Sequence, residues 1–206
     1  LINQDMGNRV NELSAKEARK LLDEGNLRYQ SIKKMEFPNI SQERRTETKG
    51  GQWPFAIVLS CADSRVIPET IFDRGIGDLF VMRVAGNVAE DQILASIEYA
   101  IMNLNTKLIV VMGHEKCGAV GASMGDGPFP GHVSSLVDMI KPAVSVAKSM
   151  GGDDATVLKN AVELNAKIVA GNIRSSQDVI NEYVVKHDVE VVSAYYELES
   201  GKVTFH

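Results

Sequence analysis

The chain has 206 residues, 44% hydrophobic and 24% charged, with a net charge of −5. That is enough apolar chain for a sizeable core, which excludes disorder, and scattered basic residues under a negative balance argue against a nucleic-acid or anionic-membrane surface. No apolar run approaches the roughly 20 residues of a membrane span. No signal-peptide pattern is read and a cytoplasmic location is expected, with Leu1 in place of an initiator Met leaving room for an upstream segment.

Ser14 and Glu17 form the S-x-x-E of a capping box. A helix is predicted over 14–32, with Leu21, Leu22, Leu27 and Tyr29 on an irregular apolar face. It is polar and stands outside the α/β pattern, so it is read as an arm, about 12–35, that packs on a partner subunit. Residues 33–53, rich in charge, Gly and Pro, read as a linker loop. PFAIVLSC (54–61) reads as a strand buried on both faces, and DLFVMRV (78–84) as a second strand. Residues 90–105 place Ile93, Leu94, Ile97, Ala100, Ile101 and Leu104 at helical spacing. KLIVVMGH (107–114) is a third buried strand, and a short helix follows over 117–125. The helix over 134–150 carries Pro142, which predicts a kink or break. Two helices are expected over 155–187, then a strand, a turn at Ser200-Gly201 and a last strand over 189–205. Buried strands alternating with helices predict one domain over 1–206. Its α/β core, about 50–206, has a central, mostly parallel sheet flanked by helices.

Ligands in open α/β sheets gather at the carboxyl ends of the strands. Cys61 ends one predicted strand, and GHEKCG, with His114 and Cys117, ends another. The chain has no other cysteine. Two thiolates and an imidazole suit zinc and leave a fourth position open, the mark of a catalytic site. Plainer readings stay open: a buried Cys as a small hydrophobe, His114 as merely hydrogen-bonded, or a Cys61–Cys117 disulfide. Asp63 and Arg65 admit a surface ion pair of little worth. Beside a zinc, a carboxylate held ionised by a bidentate arginine orients the metal-bound nucleophile, or closes the site as a fourth ligand.

CADSR followed by HEKCG resembles the β-class carbonic anhydrases, whose pattern is C-x-D-x-R and then H-x-x-C. GDLFVMRVAGN is similar to that family's R-N-A-G-N segment, with Val84 in place of the asparagine. SIEYAI resembles the helix before the second metal strand, and EGNLRY resembles part of the N-terminal arm. The resemblance implies one Zn2+ per chain on Cys61, His114 and Cys117, with Asp63 and Arg65 as the catalytic dyad. It implies reversible hydration of CO2 to bicarbonate and a proton by zinc-bound hydroxide that the dyad orients.

Gln52 matches a plant-type glutamine that hydrogen-bonds substrate, and Phe80 and Tyr99 match aromatic positions of the plant-type pocket. Val66, Ala85 and Gly118 complete the candidate substrate-binding residues. In the family the glutamine and aromatics reach the zinc from the neighbouring subunit, so the resemblance implies a homodimer at least, with a tetramer also allowed. Val58 stands where some bacterial members carry the tryptophan of an inhibitory bicarbonate site, and Arg83 stands at that site's arginine position. Without the tryptophan, a plant-like subtype with non-sigmoidal bicarbonate kinetics is expected. His132, His187 and His206 read as surface residues rather than proton shuttles. Two rival functions are carried forward. One is a carbonyl sulfide or carbon disulfide hydrolase on the same zinc scaffold, the other a non-catalytic zinc or redox-sensing module.

Overall fold

Strands that are apolar on both faces can only be satisfied in the middle of a covered sheet. In the computed structural model, which describes residues 11–31, 40–176 and 179–206, β1 (Ala56–Ser60) and β3 (Leu108–His114) are buried at every position. With β2 (Leu79–Arg83), β4 (Glu190–Tyr196) and β5 (Val203–Phe205) they form one sheet in the order β2-β1-β3-β4-β5. The first four strands are parallel, and β5 returns antiparallel to β4. The reversal passes through Gly201 at φ +72°, in the predicted turn.

The helices are α1 (Ala15–Ser31), α2 (Gln42–Thr48), α3 (Pro68–Ile71), α4 (Asp91–Asn103), α5 (Gly118–Ser123), α6 (Val133–Met150), α7 (Asp154–Arg174) and α8 (Val179–Lys186). Alternation along the strands gives each face of the sheet its own apolar cluster, and a third gathers around Cys61, Cys117 and Ile140. Val58, Val110 and Met112 pack with Ala18 and Leu22 of α1 and with Phe72. Ile57, Leu59, Ile109 and Val111 pack with Ile97 and Ile101 of α4 and with Ala166, Ala170 and Ile173 of α7. Each such large side chain contributes about 1.5–3 kcal/mol by leaving water.

α1 opens with the predicted capping box. The Ser14 hydroxyl accepts from the Glu17 N–H at 3.2 Å, and the Glu17 carboxylate accepts from the Ser14 N–H at 2.9 Å. The helix read as an arm seats its buried stripe on its own chain. Gly25 allows this approach, since a Cβ there would fall 1.8 Å from the Phe72 carbonyl oxygen. Buried Asn26 donates to the Ile71 and Gly201 carbonyls at 3.1 and 2.8 Å and accepts from the Val203 N–H at 2.9 Å. Leu27 faces outward and is 66% exposed.

Two expectations are corrected. The segment read as a linker over 33–53 contains α2, because Ser41 caps the Arg44 N–H at 3.1 Å and Arg44 anchors to Asp78 at 3.0 Å and to the Ile76 carbonyl at 2.9 Å. Residues 32–39, the end of the expected arm and the start of that segment, lie outside the described residues. Pro142 does not break α6. It lies on the exposed side, as does Asp138, so the carbonyl that loses its partner four residues back is open to water.

Candidate metal centre

β1 ends at Ser60, so Cys61 leaves the sheet at its carboxyl edge. β3 lies beside β1 and ends at His114. The chain then turns through Lys116 at φ +54° and enters α5 with Cys117 as its first flanking residue. Neighbouring parallel strands thus deliver three side chains to one point. The ligand-capable atoms of Cys61, His114 and Cys117 all lie within 4.8 Å of one another, and all three residues are buried.

The protonation of His114 follows from its partner. Nδ1 lies 2.9 Å from the Glu115 carbonyl oxygen, which can only accept, so Nδ1 carries the proton. Nε2 is left as a bare lone pair, buried and without a hydrogen-bond partner. A buried acceptor left unmade is costly. A cation seated between that nitrogen and two sulfurs removes the cost, and two thiolates with one imidazole are a donor set that zinc accepts. The residues present fit such an ion.

The two thiols are free, so the disulfide reading is not what the structure holds. They act on each other. The neighbouring Cys117 thiol draws Cys61 down against the cost of burial, and the Gly86 N–H, 3.4 Å from Sγ, adds to it. Cys117 is pushed up by the Cys61 thiolate and by burial. A divalent cation bound there would hold both sulfurs as thiolates.

Asp63 sits at the mouth of this cluster, its Oδ2 3.9 Å from His114 Nε2. Arg65 holds it in a fork, Nε to Oδ1 at 2.9 Å and one Nη to Oδ2 at 2.7 Å. Those bonds hold the Asp63 carboxyl well below the ordinary carboxylate range. The α5 entrance, Gly118, is exposed and open.

Sequence reasoning overlooked two supports. Gly86, at φ +70°, sits where a Cβ would strike Ile140 at 2.6 Å, and its N–H faces Cys61 Sγ. Asn165 of α7, buried, donates to the Gly86 carbonyl at 2.8 Å. Nothing in the local sequence pairs residues this far apart. An Asn among the apolar positions of a buried helix was the available signal.

The remaining candidates are dispersed. Gln52 precedes β1 at its amino end, opposite Cys61, and is exposed. Phe80 pairs with Ile57 in register on edge strand β2, and its ring lies 6.4 Å from that of Tyr99. Both are half-buried, and Ile57, the register partner of Phe80, precedes Cys61 by most of the length of β1. Ala85 opens the turn that holds Gly86. Val66 is fully buried with the α1-side core, and its N–H donates to the Asp63 carbonyl at 3.0 Å. Val58 is also fully buried. His132, His187 and His206 are exposed.

Fold and cluster together define an open α/β protein with a candidate metal centre at the carboxyl edge of its sheet. The family model described as carbonic anhydrase matches residues 56–203. Carbonic anhydrase 2 of Mycobacterium tuberculosis is 39% identical over 189 residues, covering 89% of this chain and 88% of that protein. A carbonic anhydrase of Mycolicibacterium smegmatis is 35% identical over 188 residues, 89% of each. Among solved structures, the β-carbonic anhydrase CafA of Aspergillus fumigatus superposes with a TM-score of 0.72 at 27% identity, over 80% of each chain. A tetrameric β-carbonic anhydrase of Sordaria macrospora shares the fold with a TM-score of 0.72 at 23% identity, over 79% of this chain and 89% of that one. The chain belongs to the β-carbonic anhydrase family, a family of lyases. Among the described residues no helix is long and apolar enough to cross a membrane.

Proposed function

We propose that this chain catalyses the reversible hydration of CO2 to bicarbonate and a proton, with one Zn2+ held by Cys61, His114 and Cys117. The observation that carries this reading is the buried Cys61–His114–Cys117 cluster with an ionised Asp63 oxygen 3.9 Å from the bare His114 Nε2. The names of the mycobacterial relatives support it. They give the carbonyl sulfide or carbon disulfide reading no support.

A zinc ion held there supplies a water acidified to near neutral pH. The residues around it do the rest. Asp63, fixed by Arg65, is a permanent acceptor. Its Oδ2 holds the proton of the attacking O–H and so sets the direction of the oxygen lone pair. CO2 is small and apolar and needs a lined recess rather than a charge clamp. Ala85 and Gly118 lie next to the centre in the same chain. Gln52, Phe80 and Tyr99 are assigned to the centre of a neighbouring subunit on the family resemblance, which fits Gln52 lying at the opposite end of β1 from Cys61. Gln52 there donates its amide N–H to the developing oxyanion. The active form on this reading is a homodimer or a tetramer of such dimers.

The test is stopped-flow CO2 hydration by the full chain at mildly alkaline pH. Fast turnover with one zinc per chain, lost on chelation and restored by zinc, is the expected result. No turnover in the zinc-replete protein overturns the proposal.

A further inference from the structure

Arg83 closes β2, and its side chain spans two main-chain carbonyls of the segment that bears the centre. Nε donates to the Cys61 carbonyl at 3.2 Å, and an Nη donates to the Asp63 carbonyl at 2.6 Å. Only Ala62 separates these two residues. The Arg65 fork fixes the Asp63 carboxylate relative to Arg65, its neighbour two residues on. The Asp63 N–H also bonds the Cys61 sulfur, but the Arg65 fork does not hold the main-chain carbonyls of Cys61 and Asp63. The Arg83 fork does, by holding both carbonyls at a set separation against a strand that is itself bonded into the sheet. The Val84 N–H anchors the base of the fork to the Ser60 carbonyl at 3.0 Å.

The chemistry asks for arginine. A guanidinium presents several N–H groups in a rigid plane, so it can bridge two acceptors at once; an ammonium is a single point on a flexible stem. Arg83 is exposed, so its place here is not explained by core packing. Its Nε and one Nη are already committed to main-chain carbonyls, which sets it apart from a free anion receptor.

We propose that Arg83 is a positioning residue: it holds the Cys61 thiolate and the Asp63 carboxylate in register with one another. This rests on the function proposed above.

The experiment uses the zinc-loaded full chain and its cobalt-substituted form, comparing wild type with R83A, R83K and R83Q. In R83A the melting temperature is expected to stay within a few degrees of wild type. Turnover is expected to fall about 10–100-fold with little change in KM, the range typical of lost support around a metal ligand. Loss of metal to a chelator is expected to quicken about tenfold. The cobalt–thiolate absorption bands are expected to shift. Low-millimolar guanidinium chloride is expected to restore part of the turnover to R83A and none to wild type, and R83K is expected to recover only a small part. R83A with wild-type turnover, chelation rate and cobalt spectrum overturns the inference. So does an equal loss in R83A and R83K without rescue by guanidinium. If R83A does not fold, R83K and R83Q carry the same readouts. If wild type itself fails to hydrate CO2, the proposed function falls, while the chelation rates and cobalt spectra still decide whether Arg83 sets the site.

Discussion

Arg65 makes three hydrogen bonds to the side chain of Asp63, two residues before it: Nε to Oδ1 at 2.9 Å, one Nη to Oδ2 at 2.7 Å, and the main-chain N–H to Oδ1 at 3.0 Å. The backbone bond fixes χ1 of the aspartate, and the fork fixes its plane. Asp63 Oδ2 therefore faces the metal cluster in one orientation. Replacing one oxygen by an amide nitrogen keeps the shape and puts a donor where an acceptor is needed. Asp63→Asn is expected to keep its metal and lose at least tenfold in turnover, measured by metal analysis alongside stopped-flow hydration.

The same pair sets a pH signature. The Arg65 hydrogen bonds hold the Asp63 carboxyl well below its ordinary range. An acid depressed in the folded state contributes stability that is fully present above its unfolded pKa, about 3.9. That stability is lost as pH falls through the folded value. The difference in urea stability between wild type and Arg65→Gln is expected to be flat from about pH 5 to 8 and to shrink below about pH 4. Any acid limb of activity near neutral pH then belongs to a group other than Asp63. Urea titrations at stepped pH read the first expectation, and pH–rate profiles the second.

Metal retention separates the cluster from its surroundings. Cys61→Ser, Cys117→Ser and His114→Ala each remove one of three converging donors, all within 4.8 Å. Each is expected to fall below one zinc per chain after dialysis against a mild chelator, while Asp63→Asn stays loaded. Full occupancy in Cys61→Ser would remove that residue from the ligand set.

The docking of α1 on its own core hangs on Asn26, which is 3% exposed and serves three main-chain groups. Truncation leaves the Ile71 and Gly201 carbonyls and the Val203 N–H short of a partner. Asn26→Ala is expected to cost about 3 kcal/mol, read from denaturant unfolding. A loss under about 0.5 kcal/mol, the size of a neutral surface change, would mean that water replaces these bonds.

Gln52 tests the shared site. It is exposed and lies at the opposite end of β1 from Cys61. Gln52→Ala is expected to leave stability unchanged and to lower turnover. Mixing inactive Cys61→Ser and Gln52→Ala subunits is expected to restore part of the activity, because each hybrid assembles one intact site. Absence of complementation, with hybrids verified by mass, would mean that Gln52 does not serve the neighbouring subunit's centre.

Much of this was legible along the chain. Continuous apolar runs at 56–60 and 108–114 required buried parallel strands, and Ser14 with Glu17 marked where α1 begins. Cys61 and His114 sit at strand ends, where ligands collect in such sheets, so the cluster could be named before any coordinates. α2 was not legible, because its seven residues are polar and carry no apolar period. It forms where Arg44 finds Asp78 and the Ile76 carbonyl across the fold. The helix is not broken at Pro142, because the cost of a helical proline depends on whether the freed carbonyl is buried or wet, and periodicity does not say which.

The amino-acid sequence by itself determined which residues could bind metal and which strands would carry them, since donor chemistry and hydrophobic period are local properties. Tertiary structure alone decided what holds those residues in place. Arg83 reaches the Cys61 and Asp63 carbonyls from another strand, and Asn165 reaches the Gly86 carbonyl from a helix 79 residues further along the chain. Tertiary structure also left the His114 Nε2 lone pair bare at the centre of the cluster. Such relationships arise from packing between segments distant in sequence, and a hydrogen bond across that distance exists only once the whole sheet has closed around it.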